Sequence, residues 1–284
     1  MLIFRWIGKV ISYINNHFKA MLFLLLLFII FNPIDKEIVE KPNLATLEIS
    51  GEIFNVNKIL SKIEEIEKNK DIKGVLLIVD SPGGALAPSV ELSMAIKRLN
   101  EKKPVVAYAF GTMASGSYYA SIWSSRIVAN PGAFIGSIGV LFQSANIKPL
   151  TDKIGIKEQT IAAGEYKQMG TFTREWTKKE KDALKELIYD GYNMFVKDVA
   201  LARGLKIEDR DKFANARVFL ASKALKVGLI DEVSSLYDAK KELIRLSGVK
   251  KPLWQKPSEF ELILEEFKAT TKSILSQSLH GYLR

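Results

Sequence analysis

Residues 74–80 read Gly-Val-Leu-Leu-Ile-Val-Asp, a continuous apolar run of strand length that Ser81-Pro82-Gly83-Gly84 breaks at once. A strand that is apolar throughout must be covered on both faces, which is the condition of a parallel sheet flanked by helices. The neighbouring segments agree. Leu44 to Ser50 is a further apolar segment, and Ile59, Ile63 and Ile66 follow it at helical spacing. After the break Leu92, Ala95, Ile96 and Leu99 resume a helical period, Pro104 to Phe110 reads as a second buried strand, and the small-residue stretch from Met113 to Ser121 begins another helix. Strands alternating with helices predict βαβ units and an α/β fold. The longest helix is expected after Thr177-Lys-Lys-Glu180, which has the form of a capping box. Its apolar face of Leu184, Leu187, Ile188, Phe195, Val196 and Val199 stops at Arg203-Gly204.

Four regions follow from these patterns: an N-terminal segment and anchor (1–34), a charged linker containing Pro42 (35–43), one large domain (44–250), and an extension (251–284). In the extension Phe260, Ile263, Leu264, Phe267, Ile274 and Leu275 outline an amphipathic helix. Ala20 to Ile34 carries no charge. As a helix it reaches about 22 Å against a hydrocarbon core of about 30 Å, so a transmembrane reading requires Lys19 to snorkel or the span to borrow from Asn15 to Phe18. Arg5, Lys9 and Lys19 precede the run and no acidic residue occurs before Asp35, which predicts a cytoplasmic N-terminus and an exported domain. No small-x-small cleavage site follows, so an uncleaved anchor in a bacterial inner membrane is expected. Ile3, Ile7, Val10, Ile14 and Phe18 share one side of the preceding segment, as in an interfacial helix or a longer anchor.

The formal net charge of +9 does not point to nucleic acid. Three of the charges are the N-terminal ones, and Lys178, Lys179 and Lys181 alternate with Glu180 and Asp182 as on a solvated helix face.

The chain holds two histidines and no cysteine. His17 precedes the apolar run and His280 lies close to the C-terminal end, so a Ser-His-Asp arrangement is disfavoured and a thiol nucleophile is excluded. Amide hydrolysis needs a nucleophile, a base and donors for the oxyanion. Ser115, in Met-Ala-Ser-Gly-Ser-Tyr-Tyr, stands at the start of an expected helix, where unpaired amides favour negative charge. Gly116 places no side chain against a substrate, and Gly83-Gly84 offers amides after a strand. Read alone, the first segment is more often close helix packing than a nucleophile, and the second is more often a plain turn. Lys167, closing Gly-Glu-Tyr-Lys, is the candidate base, and Ser137, in Gly-Ser-Ile-Gly-Val, could aim it. A lysine base works only when neutral, so its pKa must fall from about 10.4 toward about 7 or 8, a change of roughly 3 to 5 kcal/mol.

Asp80–Gly84, Met113–Tyr119, Gly136–Val140 and Gly164–Lys167 occur in the order and near the spacing of bacterial signal peptide peptidase A. From about Leu44 to Val233 the chain resembles the short single-domain form of that serine-lysine peptidase family, including Arg217-Val-Phe and Ala224-Leu-Lys-Val-Gly-Leu-Ile-Asp231 as its closing segment. The resemblance implies a Clp/crotonase fold of repeated ββα and βαβ units, with no cofactor. It implies Ser115 as nucleophile, Lys167 as base, Ser137 as the hydroxyl that orients it, and Gly84 with Gly116 as oxyanion donors beside Gly83. It also implies homo-octameric rings whose neighbouring subunits share each site, and signal peptides and other apolar peptides as substrates. Two positions depart from the family: Ser117 and Ala216 stand where glycines are usual, and Ser117 is expected to narrow the groove beside the nucleophile. Alternatives are a related peptidase that clips a membrane partner protein and an acyl-CoA enzyme of the crotonase type. The latter suits an exported domain poorly. An inactive scaffold would not need Ser115 and Lys167.

Overall fold

The computed structural model describes residue 6, residues 13–24, residue 27 and residues 41–256. The chain divides into two units, Met1–Lys41 and Pro42–Arg284. In the first, residues 13–24 are helical. Among the described residues no helix is long and apolar enough to cross a membrane. Most of the expected anchor at 20–34, and the expected C-terminal amphipathic helix, lie outside the described residues.

The second unit is built on a seven-stranded sheet. Its main path runs β1 (Leu44–Ile53), β2 (Gly74–Gly84), β3 (Val105–Ala114), β4 (Arg126–Ala129) and β7 (Glu232–Val233), every neighbouring pair parallel. β5 (Phe134–Gly136) pairs parallel with the end of β3, and β6 (Val218–Leu220) pairs antiparallel with β5. Among the described residues of this unit, the helices of six residues or more are α1 (Asn57–Lys68), α2 (Leu86–Lys102), α3 (Gly116–Ser121), α4 (Lys148–Lys153), α5 (Lys178–Arg203), α6 (Ala221–Lys226) and α7 (Leu236–Ser247).

Strand alternation sorts the core into two layers. Leu47, Ile49, Val75, Leu77, Val79, Val105, Ala107 and Ala109 join the larger cluster, with Ile63 of α1, Leu92 and Ile96 of α2, Tyr118 of α3 and Phe195 and Val199 of α5. Leu44, Leu76, Val106, Tyr108 and Val128 point the other way, onto Ala239 and Leu243 of α7. The continuous apolar run of β2 is explained by this double cover, since consecutive residues serve opposite layers. A β-carbon on Gly74 would lie 2.9 Å from Leu243 Cδ1, so α7 packs directly on the start of β2. Beyond Lys250 the chain returns to the sheet: Leu253 O accepts from Leu44 N and Gln255 N donates to Leu44 O.

α5 has both expected ends. Thr177 and Glu180 form the reciprocal capping box, and Gly204 terminates the helix in the left-handed conformation. The expected helix start at Met113 is corrected by one element. Met113 and Ala114 are the last residues of β3, drawn into the sheet by their pairing with Ile135 and Gly136, and α3 begins only at Gly116.

Candidate active site

β2 and β3 are paired to their last residues, by β1 and β5, and Gly83, Gly84, Ser115 and Gly116 lie at or just beyond those ends. β1 follows β2 to the last residue, with Glu52 opposite Gly83 and Ile53 opposite Gly84. A β-carbon on Gly84 would lie 2.3 Å from Ile53 O, and one on Gly83 would lie 2.5 Å from Gly116 N and 2.8 Å from Ser115 Cβ. Gly83 also has φ +95°, a conformation that L side chains rarely adopt. Ser81–Gly84, expected to break the strand, instead stays within β2 because β1 pairs with it to the end, and its glycines give the Ser115 segment a surface to pack on without side chains between.

Ser115 joins β3 to α3 with φ 53° and ψ −124°. A non-glycine residue at positive φ is strained, and here the surroundings hold it: Ser115 N donates to Gly136 O at 2.7 Å, and Ser115 O accepts from Tyr119 N at 3.0 Å. The arrangement is strand, sharp elbow, helix, which lifts a serine side chain out of the packed backbone. Gly116, the first residue of α3, has no intrahelical acceptor for its amide. A β-carbon on it would come within 2.1 Å of Ser89 Oγ on α2 and 3.3 Å of Gly84 N. Both glycine amides thus flank the elbow.

The β3–β5 ladder ends with Ala114 opposite Gly136, and the hydrogen bond from Ser115 N to Gly136 O brings Ser137, the next residue of the chain, to the elbow. Ser137 also has positive φ, 52°, and its amide donates to Arg217 O at 2.8 Å. One chain thus gathers Ser115, Ser137, Gly83, Gly84 and Gly116. It does not add Lys167. That residue is exposed, within a run of turns, and among the described residues no hydrogen bond or ion pair joins its amine to Ser115 or Ser137. Its loop is nonetheless braced. Glu165 pairs with Lys179 at 2.5 Å, Trp176 Nε1 donates to Thr171 O at 2.6 Å, and Arg174 reaches Gln168 Oε1 at 3.3 Å and Glu180 Oε1 at 2.7 Å. Arg174 first, and then the Thr177 amide, hold the Glu180 carboxyl down to about 2. His17 lies in the N-terminal unit against the Tyr13 ring, and His280 is outside the described residues.

A cleft of about 530 Å³ opens two residues beyond Ser137, lined by Val140, Phe142, Trp176, Leu184, Ile188 and Tyr192. Its walls are mainly apolar. Behind the elbow, Tyr118 donates to Leu229 O at 2.7 Å, and burial pushes its phenol pKa up, so it serves as a neutral strut.

Ser117 does not narrow the groove. It is fully buried, and its hydroxyl is turned onto the backbone of Ser81 and Ala114. A small polar side chain on the inner face of α3 finds backbone partners more readily than open space. Ala216 has φ 54° and follows Asn215 at φ 59°, so this departure from glycine is a strained one. Sequence reading missed Ser81 and Ser89, whose place beneath the elbow arises only when α2, β2 and α3 meet.

The model of peptidase family S49 matches residues 97–250. A protein of Methanocaldococcus jannaschii named as a protease is 41% identical over 193 residues, which are 68% of this chain and 62% of that protein. A protein of Enterococcus faecium named as a signal peptide peptidase is 31% identical over 191 residues, 67% of this chain and 56% of that protein. The chain therefore spans less than two thirds of the length of either relative. Among solved structures, a membrane-bound stomatin-specific protease superposes with a TM-score of 0.50 at 15% identity, covering 77% of this chain and 99% of that one. At that identity the likeness concerns the fold.

Proposed function

The chain belongs to peptidase family S49, and from that premise we propose that it is a membrane-anchored serine endopeptidase in which Ser115 is the nucleophile and Lys167 the general base. The observation that carries this reading is the strained elbow. Ser115, at φ 53° between a strand and a helix, has Gly83 and Gly116 packed against it. Ser115 Oγ attacks the peptide carbonyl and gives its proton to the neutral amine of Lys167. The amides of Gly84 and Gly116 stabilise the oxyanion, and the protonated lysine then passes the proton to the leaving amine. Water enters by the reverse sequence and releases the second product. Ser137, which follows the Gly136 carbonyl that holds the Ser115 amide, orients the amine.

The exposure of Lys167 on a braced loop supports a site completed between copies, in which the lysine of one subunit meets the serine of the next in a closed ring, and the family resemblance makes that ring an octamer. The apolar cleft beyond Ser137 suits apolar peptides, including cleaved signal peptides, and the basic N-terminal segment supports an anchor with the domain outside the inner membrane. The test is hydrolysis of a fluorogenic apolar peptide by the protein and by Ser115→Ala. The reading predicts turnover in the first and its loss in a folded Ser115→Ala. Equal turnover in both would refute it.

A further inference from the structure

The ladder between β2 and β3 ends at Ser81 opposite Met113, after a register shift that follows Val79. Beyond it β2 continues as Gly83-Gly84 and β3 turns into the Ser115 elbow. The spacing between nucleophile and amide donors therefore depends on how the two strand ends are held.

Ser117 sits at that opening. Its Oγ accepts from Ala114 N at 2.9 Å, and it lies 2.7 Å from Ser81 O and 2.9 Å from Ala114 O. A hydroxyl has one proton, and the shorter contact directs it to Ser81 O. Ser81 in turn accepts from Gly83 N through its own Oγ, at 3.1 Å. Both serines are wholly buried, where such bonds are strong and an unmade one is costly. Hydrogen bonds that meet on Ser81, one set at its carbonyl and one at its hydroxyl, thus connect the residue before Ser115 with the residue before Gly84.

We infer that Ser117 is a positioning residue, whose hydroxyl fixes the distance between the Ser115 nucleophile and the Gly84 amide. The inference rests on the reading of Ser115 as nucleophile. Ser117 touches no substrate and acts through Ser81 and Ala114. A structural comparison is available on the same helix. Ser121 is equally buried, but its hydroxyl donates to Ser117 O at 2.8 Å, a bond within α3 that ties no second element.

The experiment compares full-length wild type, Ser117→Ala, Ser117→Gly, Ser121→Ala and Ser115→Ala. It measures kcat and KM on the fluorogenic peptide, the rate of labelling by a fluorophosphonate, and the thermal midpoint. Ser117→Ala and Ser117→Gly are expected to lower kcat and the labelling rate at least tenfold with KM within about twofold, because misplacement weakens transition-state stabilisation more than ground-state binding. Ser121→Ala should lose comparable stability while keeping its kcat. The inference is overturned if either folded Ser117 variant keeps kcat within about twofold, if activity falls in step with stability in both serine positions, or if both Ser117 variants fail to fold. An active Ser115→Ala removes the nucleophile itself and overturns both readings. An inactive Ser115→Ala beside fully active Ser117 variants overturns this one alone.

Discussion

Gly116→Ala puts a methyl group where α2 and α3 already touch. The new β-carbon would stand 2.1 Å from Ser89 Oγ and 2.9 Å from Ser89 Cβ, against about 3.5 Å for carbon contacts at rest. One of the helices must move by about an ångström. Overpacking of this kind costs about 1 to 3 kcal/mol, and the better helix propensity of alanine returns about 1 kcal/mol, leaving at most about 2 kcal/mol of destabilisation. Ser89→Ala alone removes a hydroxyl that donates to Ala85 O at 2.8 Å, four residues back in its own chain, and costs about 1 kcal/mol or less. In the double variant the closest contact is gone. The two changes should couple favourably by about 1 to 2 kcal/mol, measured as a double-mutant cycle from urea denaturation. Gly116→Ala should also lower kcat/KM about a hundredfold, since its amide is the proposed oxyanion donor. Strict additivity of the two stability changes would refute the packing argument.

Two further perturbations probe strain and charge. Ala216→Gly should stabilise the fold by about 0.5 to 1 kcal/mol, because a left-handed alanine at φ 54° costs about 1 to 2 kcal/mol and glycine recovers most of it, net of its own entropy; a lower thermal midpoint would contradict this. The Glu180 carboxyl, held down to about 2 by Arg174 and the Thr177 amide, titrates in unfolded chains near about 4.3. Its contribution is therefore present above that unfolded value and lost as pH falls toward about 2. The stability gap between wild type and Glu180→Gln should narrow from pH 5 to pH 2, and denaturation curves that keep a constant gap would show that the pair contributes nothing pH-dependent.

The sheet was legible because its signal is local. The run Gly74–Asp80 carries apolar residues for two opposite layers, and Thr177, Glu180 and Gly204 are caps whose partners lie within one turn. The elbow was legible as composition, through Ser115 beside Gly116, but its geometry was not. Met113 and Ala114 read as helix in their own segment, and only pairing with β5, more than twenty residues on, makes them strand. The place of the Ser117 side chain is illegible for the same reason, since whether it faces a groove or the backbone of Ser81 depends on how α3 sits on β2. Lys167 could be named from its motif, yet nothing local indicates that its amine stays exposed and makes no hydrogen bond to Ser115 within one chain.

The central claim is that Ser115 becomes a nucleophile only with Lys167, and covalent trapping tests it most directly. The protein is treated with a fluorophosphonate, digested, and the adduct located by mass spectrometry, alongside Lys167→Ala and Lys167→Arg. The account predicts a single adduct on Ser115 in the wild type and little or none in either variant, because alanine provides no base and a guanidinium does not give up its proton. An adduct on another residue, or labelling of Ser115 at the wild-type rate without Lys167, would contradict it.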